Sequence, residues 1–212
     1  MAFLIPKFIR FLLCLGILLA LPVQGFSAPA IPGVYTIDPK QSGFLVNTGV
    51  AGVLKSFGRA LTIEVLNYSG SIRFNPQETR LASVKVEVKA YSLALKTQAT
   101  EQDRMNIEMR MHENVLQSEK YPAIEYQSDK IQVWKTGEGR YDADIQGNLT
   151  LHGITRFLPI RATVQVKGNR LEASGEIPLS QKEFKIKPYA YEGGALRVAD
   201  QVKVTFNFVA TR

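Results

Sequence analysis

The sequence predicts an all-β fold, a single antiparallel β-barrel with a helical excursion around residues 98–119. Apolar and polar residues alternate with a period of two along most of the chain, which is typical of antiparallel strands with one buried and one solvated face. Turn residues separate these runs, and so many strands in one domain must form a sandwich or a barrel. The 212 residues show no internal repeat or linker, so we predict one domain over residues 31–212.

Residues 1–30 are predicted to form a signal peptide. Lys7 and Arg10 precede an apolar run at residues 11–21, and residues 28–30 offer small side chains for cleavage. This run is too short to cross the hydrocarbon core as a helix, which takes about 20 residues. An uncleaved anchor is the alternative, and the exact cleavage site stays open. We therefore expect an exported protein, periplasmic or secreted.

Cysteine usage agrees with export. Cys14 is the only cysteine, and it lies inside the apolar run behind Leu13 rather than at its end. We interpret it as a small apolar residue and not as a lipidation site. The chain that remains after cleavage then has no cysteine, which avoids wrong pairing in an oxidising compartment.

Four strands are predicted by strict alternation, at residues 84–90, 141–150, 160–167 and 202–210. Weaker alternation predicts six more, at residues 34–38, 43–48, 60–67, 70–75, 123–134 and 170–179. Turn sequences such as Asn75-Pro76 and Gly168-Asn169 lie between them.

One segment, residues 97–119, departs from this alternation. It is polar and lacks glycine and proline, Thr100 and Asp103 form a helix-capping sequence, and Pro122 would end a helix. The methionines of this segment also alternate as a strand would, but its length and its helix-forming residues favour a helix. A helix would place four residues on one face, namely Met105, Met109, His112 and Leu116.

Alternation alone does not show which face of each strand points inward. Faces rich in Lys, Asp, Glu, Thr and Gln favour a soluble barrel with an apolar interior. A membrane barrel would turn the apolar residues outward, and it needs strands of about 9–11 residues with aromatic girdles. Several predicted strands are shorter, and Trp134 is the only tryptophan.

Small residues recur on the predicted inward faces. An eight-stranded barrel is either filled by side chains or holds one small ligand, and small inward residues favour a cavity. Alternatively, they lie opposite large residues and the interior is packed. The residues concerned are Ala90, Ala143, Gly147, Ala162, Ala173, Gly175 and Ala210.

Candidate catalytic and metal-binding residues are few. His112 and His152 are the only histidines, and we find no nucleophile, phosphate-loop, zinc or dinucleotide motif. His112, with Glu113 beside it, and His152 could bind a metal in principle, but two histidines lack a fixed third ligand, so we expect no metal, no cofactor, no catalytic residue and no enzyme activity. His152 precedes Gly153 in a compact turn, where hydrogen bonding in the turn is the first interpretation and contact with a ligand head group the second.

The formal net charge is +7, with lysines at alternate strand positions as on a solvated face. Export and the lack of a recognition helix argue against a nucleic-acid partner. A positive surface favours transient contact with anionic membranes. The oligomeric state stays open, with a homodimer as one option.

Several motifs resemble those of the YceI-like proteins. Residues 147–156, which read GNLTLHGITR, are the most specific and are similar to the family's G-x-L-T-L-H-G-x-T-K/R. Weaker similarities extend the resemblance over about residues 34–210, and they lie at residues 34–42, 70–76, 115–128, 184–186 and 193–202.

This resemblance implies a lipocalin-like antiparallel barrel around a long apolar cavity, with a helical excursion. Family members are generally exported, and characterised ones bind polyisoprenoid chains, including isoprenoid quinones; no catalytic residues are established. Two departures are visible. Residues 56–61 lack the histidine that often follows the early strands, and Lys185 replaces the usual glycine between Phe184 and Ile186, which would affect that turn.

We therefore predict an exported protein that holds one isoprenoid-like amphiphile, a polyisoprenoid or an isoprenoid quinone, for storage or transport. Burial of the apolar chain would drive binding. The alternative is a packed barrel that acts through its surface as a stress-related or membrane-associated adaptor. The side chains predicted to bind the lipid lie on the expected inward faces: Phe44, Val46, Ile63, Ile72, Phe74, Val86, Val88, Leu116, Tyr126, Ala143, Ile145, Leu149, Ala162, Val164, Phe206 and Phe208.

Overall fold

The structure, a computed structural model, describes residues 33–212. The predicted signal peptide at residues 1–30 lies outside this range. The described elements, in chain order, are β1 (Gly33–Ile37), β2 (Gly43–Ala51), β3 (Thr62–Val65), β4 (Tyr68–Phe74), β5 (Ser83–Lys89), β6 (Leu93–Leu95), α1 (Glu101–Arg110), β7 (Ala123–Gly137), β8 (Arg140–Leu151), β9 (Ile154–Phe157), β10 (Ile160–Lys167), β11 (Arg170–Ser180), β12 (Ala190–Tyr191) and β13 (Leu196–Thr211).

Eight strands close into an antiparallel barrel, which confirms the predicted fold class. Their order is β1–β4–β5–β7–β8–β10–β11–β13, and β13 returns to β1 where Ile37 pairs with Ala210. The other part of β13 pairs with β2, so β1 and β2 follow one another along the same edge of β13. Three chain segments each bend near the middle, and they form the consecutive strands β1 and β2, β3 and β4, and β5 and β6. One half of each segment belongs to the order β1–β4–β5 and the other half to the order β2–β3–β6, which lies beside it.

All ten predicted strands are present, with ends that differ by a few residues. Strands β6, β9 and β12 were not predicted. Each has at most four residues, which is too short for alternation to show. Within residues 33–212, no helix is long and apolar enough to cross a membrane.

The apolar residues of the alternating strands face the interior. In β5, Val86 and Val88 are buried while Lys85 and Lys89 are exposed, and β13 shows the same order at Phe206, Asn207 and Phe208. The apolar faces of these strands therefore point into the barrel and the charged faces point outward, which the sequence alone did not decide.

The helical segment begins at the predicted cap, and the structure shows which of its residues turn toward the barrel. The Asp103 amide donates to the Thr100 hydroxyl at 3.2 Å, which confirms the predicted helix cap. Met105 and Met109 remain about half exposed, whereas Ile107 and Met111 pack against the core, and of the four residues predicted to share a face only Leu116 packs there. The chain then widens into a π-helical turn at Met111–Val115, which brings Val115 and Leu116 toward the interior.

Side chains of this segment cover the free edge of β6. The Leu95 amide donates to Glu108 Oε1 at 2.8 Å, and His112 Nε2 donates to the Leu93 carbonyl at 3.0 Å. His112 Nδ1 lies 3.0 Å from the hydroxyl of Ser118, which is fully buried. Because an edge strand leaves backbone groups unpaired, these bonds replace those of a neighbouring strand. The helical segment is thereby fixed at one end of the barrel.

Candidate ligand cavity

The barrel encloses a cavity of about 520 Å³. Inward side chains of the barrel strands form most of its wall, and Ile107, Met111 and Leu116 of the helical segment complete it. All sixteen residues predicted to bind lipid lie on this wall, because the wall is the apolar face of the alternating strands. That they contact a lipid stays a prediction.

A shallow recess in this wall is formed by three alanines. Ala143 of β8 pairs with Ala162 of β10, and Ala173 of β11 pairs with the neighbouring Val164. All three alanines are buried and line the cavity. Their small side chains leave space that larger residues would occupy.

Other small residues make room for aromatic rings instead. A Cβ atom at Gly147 would lie 2.6 Å from the Tyr126 hydroxyl, and one at Gly175 would lie 2.7 Å from Cζ of Phe206. Ala90 and Ala210 are buried but do not line the cavity. Both interpretations of the small residues therefore hold, each in a different part of the barrel.

Aromatic residues line part of the cavity. Phe44 and Phe208 meet edge to face with ring centroids 5.3 Å apart, and Phe206 stacks on Phe208 at 5.1 Å. The Tyr126 hydroxyl donates to the Leu158 carbonyl at 3.1 Å, and burial raises the pKa of this phenol, so it stays neutral. The wall around these rings is apolar and holds no charge.

Polar residues join the wall mainly where α1 faces the segment after β11. Arg110 lies over the Tyr189 ring, with its guanidinium carbon 5.1 Å from the centroid, and it forms no ion pair in the described part of the chain. The Asp103 carboxylate accepts a hydrogen bond from the Thr100 hydroxyl at 2.7 Å. The polar residues of this end, hereafter the polar end, are Thr48, Asp103, Asn106, Arg110, Gln181 and Tyr189.

Sequence reasoning missed these polar residues. Arg110 and Tyr189 are far apart in the chain, and the docking of α1 on the barrel brings them together. The sequence predicted which residues share one face of the helix, but it did not predict which face turns toward the barrel. The helix has two apolar i, i+4 pairs, Met105/Met109 and Ile107/Met111. The second pair is the one sequence signal for the face that turns toward the barrel.

Neither histidine lines the cavity, because His112 bonds the edge of β6 and His152 holds a turn. His152 (φ +52°) and Gly153 (φ +70°) form the two-residue turn between β8 and β9, and the His152 ring lies 4.3 Å from the ring of Tyr121. His152 Nδ1 lies 3.2 Å from the Phe184 carbonyl, so it joins this turn to another one rather than bonding within it. Residues 33–212 contain no cluster of three metal-ligating side chains.

Comparison with known proteins gives the family. The family model of the YceI-like domain matches residues 35–210. The chain belongs to the YceI-like family. The motif at residues 147–156, which carried the resemblance, is the β8–β9 hairpin in this YceI-like barrel.

Solved structures share this YceI-like fold. BcnA of Burkholderia cenocepacia has a TM-score of 0.65 at 19% identity, over 82% of this chain and 99% of BcnA. A polyisoprenoid-binding domain from Saccharophagus degradans, implicated in plant cell wall breakdown, has a TM-score of 0.60 at 14% identity, over 84% of this chain and 97% of that domain. At these identities the likeness shows the fold.

Curated relatives match in sequence over a shorter range. UPF0312 proteins of Pseudomonas savastanoi and Pseudomonas syringae are 30% identical over 127 residues, which is 57% of this YceI-like chain. The match spans 61% of their length, less than two thirds.

Proposed function

We propose that this YceI-like protein is exported and holds one isoprenoid-like amphiphile, a polyisoprenoid or an isoprenoid quinone, for storage or transport. The observation that carries the proposal is the apolar cavity of about 520 Å³ inside a closed barrel. Small-molecule sites typically have about 300–1,000 Å³ and a mostly apolar wall. The ligand class is supported by the Saccharophagus degradans domain, which shares the fold and is a polyisoprenoid-binding domain.

Burial of the apolar chain would supply most of the affinity. Each methylene group removed from water contributes about 0.8 kcal/mol. This gain is offset by the loss of translational, rotational and internal freedom of the ligand, so a flexible chain needs many buried groups to bind tightly. The strands that form the wall are held by barrel closure and need little reordering.

The polar end gives the ligand a direction. Arg110 and Asn106 can donate hydrogen bonds there, whereas the rings of Phe206 and Phe208 have no donor. A ligand whose head group accepts hydrogen bonds, such as a quinone carbonyl, would place this group at Arg110 and its chain among the aromatic rings. The binding is passive, with no covalent step.

Native mass spectrometry of the protein recovered from its host tests this proposal. We expect a recurrent bound mass that fragments as an isoprenoid lipid, and uptake of an isoprenoid quinone by stripped protein. Protein that is recovered without lipid and takes up no quinone would contradict the proposal, and it would favour the surface adaptor that the sequence left as the alternative.

A further inference from the structure

The loop between β2 and β3 carries the two most exposed large apolar side chains of residues 33–212. Val53 is 87% exposed and Phe57 is 82% exposed, and Leu54 between them is 40% exposed. Such side chains cost free energy in water, and they are typical of surfaces that meet a membrane or another protein.

This loop is fixed in place, so its exposure is a property of the fold. The Leu54 amide donates to the Ala195 carbonyl at 2.9 Å, and the Arg59 guanidinium donates to the Gln98 carbonyl, just before α1. A Cβ atom at Gly58 would lie 2.6 Å from Cδ1 of Leu196, which shows how closely the loop packs on the start of β13.

The same loop lies at the polar end of the cavity. Thr48 and Leu61, on either side of the loop, both line the cavity, and the Thr48 amide donates to the Leu61 carbonyl at 2.8 Å. Arg59 joins the loop to the segment that leads into α1, whose residues Asn106 and Arg110 line the polar end. A surface that docks through this loop therefore lies next to the cavity wall.

The loop is also cationic. Lys55 and Arg59 flank Phe57, and no acidic residue occurs between Asp38 and Glu64. Neither cation forms an ion pair within the described residues. Apolar side chains beside unpaired cations fit an anionic phospholipid surface, because the apolar side chains enter the acyl boundary while the cations stay among the head groups.

We propose that residues 52–59, hereafter the docking loop, insert into the surface of an anionic phospholipid bilayer and set the polar end of the cavity against the membrane. The inference rests on the proposed function in one respect, that the bilayer is the source or destination of the bound lipid. The proposed partner surface is the bilayer, and the residues that contact it are those of the docking loop.

Vesicle co-sedimentation of the protein recovered from its host tests the proposal. We expect binding to phosphatidylcholine vesicles that contain phosphatidylglycerol, and weaker binding without it or at high salt. The double variant Val53→Ser/Phe57→Ser should lose about tenfold or more in partitioning, and Lys55→Glu should lose the dependence on phosphatidylglycerol. The matched control is Leu81→Ser/Trp134→Ser, which removes two exposed apolar side chains outside the docking loop, one in the turn before β5 and one in β7, and should partition as wild type.

Fluorescence locates the loop directly. Phe57→Trp in a Trp134→Phe background leaves one tryptophan, at the tip of the docking loop. Its emission should shift to the blue on anionic vesicles and be quenched by brominated acyl chains. No shift and no quenching on vesicles that bind the protein would overturn the proposal.

The failure of this inference and that of the proposed function give different results. Quinone titration in the absence of vesicles should be the same for wild type and Val53→Ser/Phe57→Ser. If neither protein binds quinone but partitioning depends on the docking loop, the proposed function fails and the membrane surface stands. If the loop variant partitions like the control, or if its only change is the loss of a dimer, the membrane surface is wrong whatever the quinone result.

Discussion

At the scale of single residues, Lys185 adopts an unfavourable backbone conformation. It has φ +56° and ψ +21°, the left-handed region, at the end of the turn Lys182–Phe184. Its neighbours Phe184 and Ile186 are both buried, so the chain has to reverse at this residue. A side chain in this region costs about 1–2 kcal/mol, and glycine avoids this cost. Lys185 therefore keeps a conformation that a glycine would adopt freely.

We expect Lys185→Gly to stabilise the protein by about 1 kcal/mol, because the relief of the left-handed strain exceeds the extra entropy of glycine in the unfolded chain. Lys182→Gly is the matched control and should be neutral or destabilising, since Lys182 lies in the turn without a positive φ. Chemical denaturation measures both. A loss of stability in Lys185→Gly would show that the lysine side chain holds the turn.

Asp200 bonds the start of the same turn and makes the stability of the protein depend on pH. Its carboxylate accepts hydrogen bonds from the Ser180 hydroxyl at 2.7 Å and from the Lys182 amide at 2.9 Å. The bond from Ser180, followed by that from Lys182, lowers the pKa of Asp200 below its ordinary value of 3.8. The stabilisation is therefore fully present above the unfolded-state pKa and is lost as the pH falls below it.

Asp200→Asn should accordingly lower the melting temperature at neutral pH and flatten its decline between about pH 5 and pH 3. The exposed residue Glu138 offers a control, Glu138→Gln, which should leave the curve unchanged. Thermal unfolding across this pH range measures both variants. An Asp200→Asn curve parallel to that of wild type would contradict the assignment of this carboxylate.

At the scale of the element, the helical segment acts as the neighbour that β6 lacks. Glu108 and His112 bond two of the backbone groups that face away from β3, the Leu95 amide and the Leu93 carbonyl. Glu108→Ala should raise the hydrogen-exchange rate of the Leu95 amide by about tenfold, because a bond to a charged acceptor contributes about 1.5–3 kcal/mol and water replaces part of it. Glu113→Ala, on the exposed side of the same segment, is the control. Unchanged protection of Leu95 would mean that the edge is closed by packing alone.

The elements that the sequence predicted are those with one buried face. Each long strand keeps its alternation because a shift by one residue would expose its whole apolar set. Within the helical segment two apolar pairs with i, i+4 spacing compete, and the sequence cannot rank Met105/Met109 against Ile107/Met111. Contact with β6 decides which pair turns toward the barrel, because Glu108 and His112 have to reach the edge of β6. The apolar wall could therefore be predicted, whereas Arg110 at the polar end depends on how α1 docks.

At the scale of the whole molecule, barrel closure produces the cavity. Three chain segments bend halfway, so that β1, β4 and β5 complete the ring while β2, β3 and β6 continue along the side where α1 docks. Aromatic rings fill the interior next to Gly147 and Gly175, whereas the alanine recess of Ala143, Ala162 and Ala173 leaves it open. We propose that this opening is ligand space and not an imperfectly packed core.

Substitution in the alanine recess tests this claim most directly. In a packed core, Ala162→Trp would cost about 1–3 kcal/mol by overpacking. In ligand space the indole takes the place of the lipid, and the same holds for Ala143→Trp. The control is Thr163→Trp, which lies next to Ala162 on the exposed face of β10 and should change neither stability nor binding.

The decisive measurement is the affinity of Ala162→Trp for an isoprenoid quinone, taken together with its melting temperature without ligand. We predict a melting temperature near that of wild type and binding weaker by at least about tenfold, which corresponds to roughly 1.4 kcal/mol. Strong destabilisation with unchanged binding per folded molecule would contradict it, because Ala162 would then belong to the packed core.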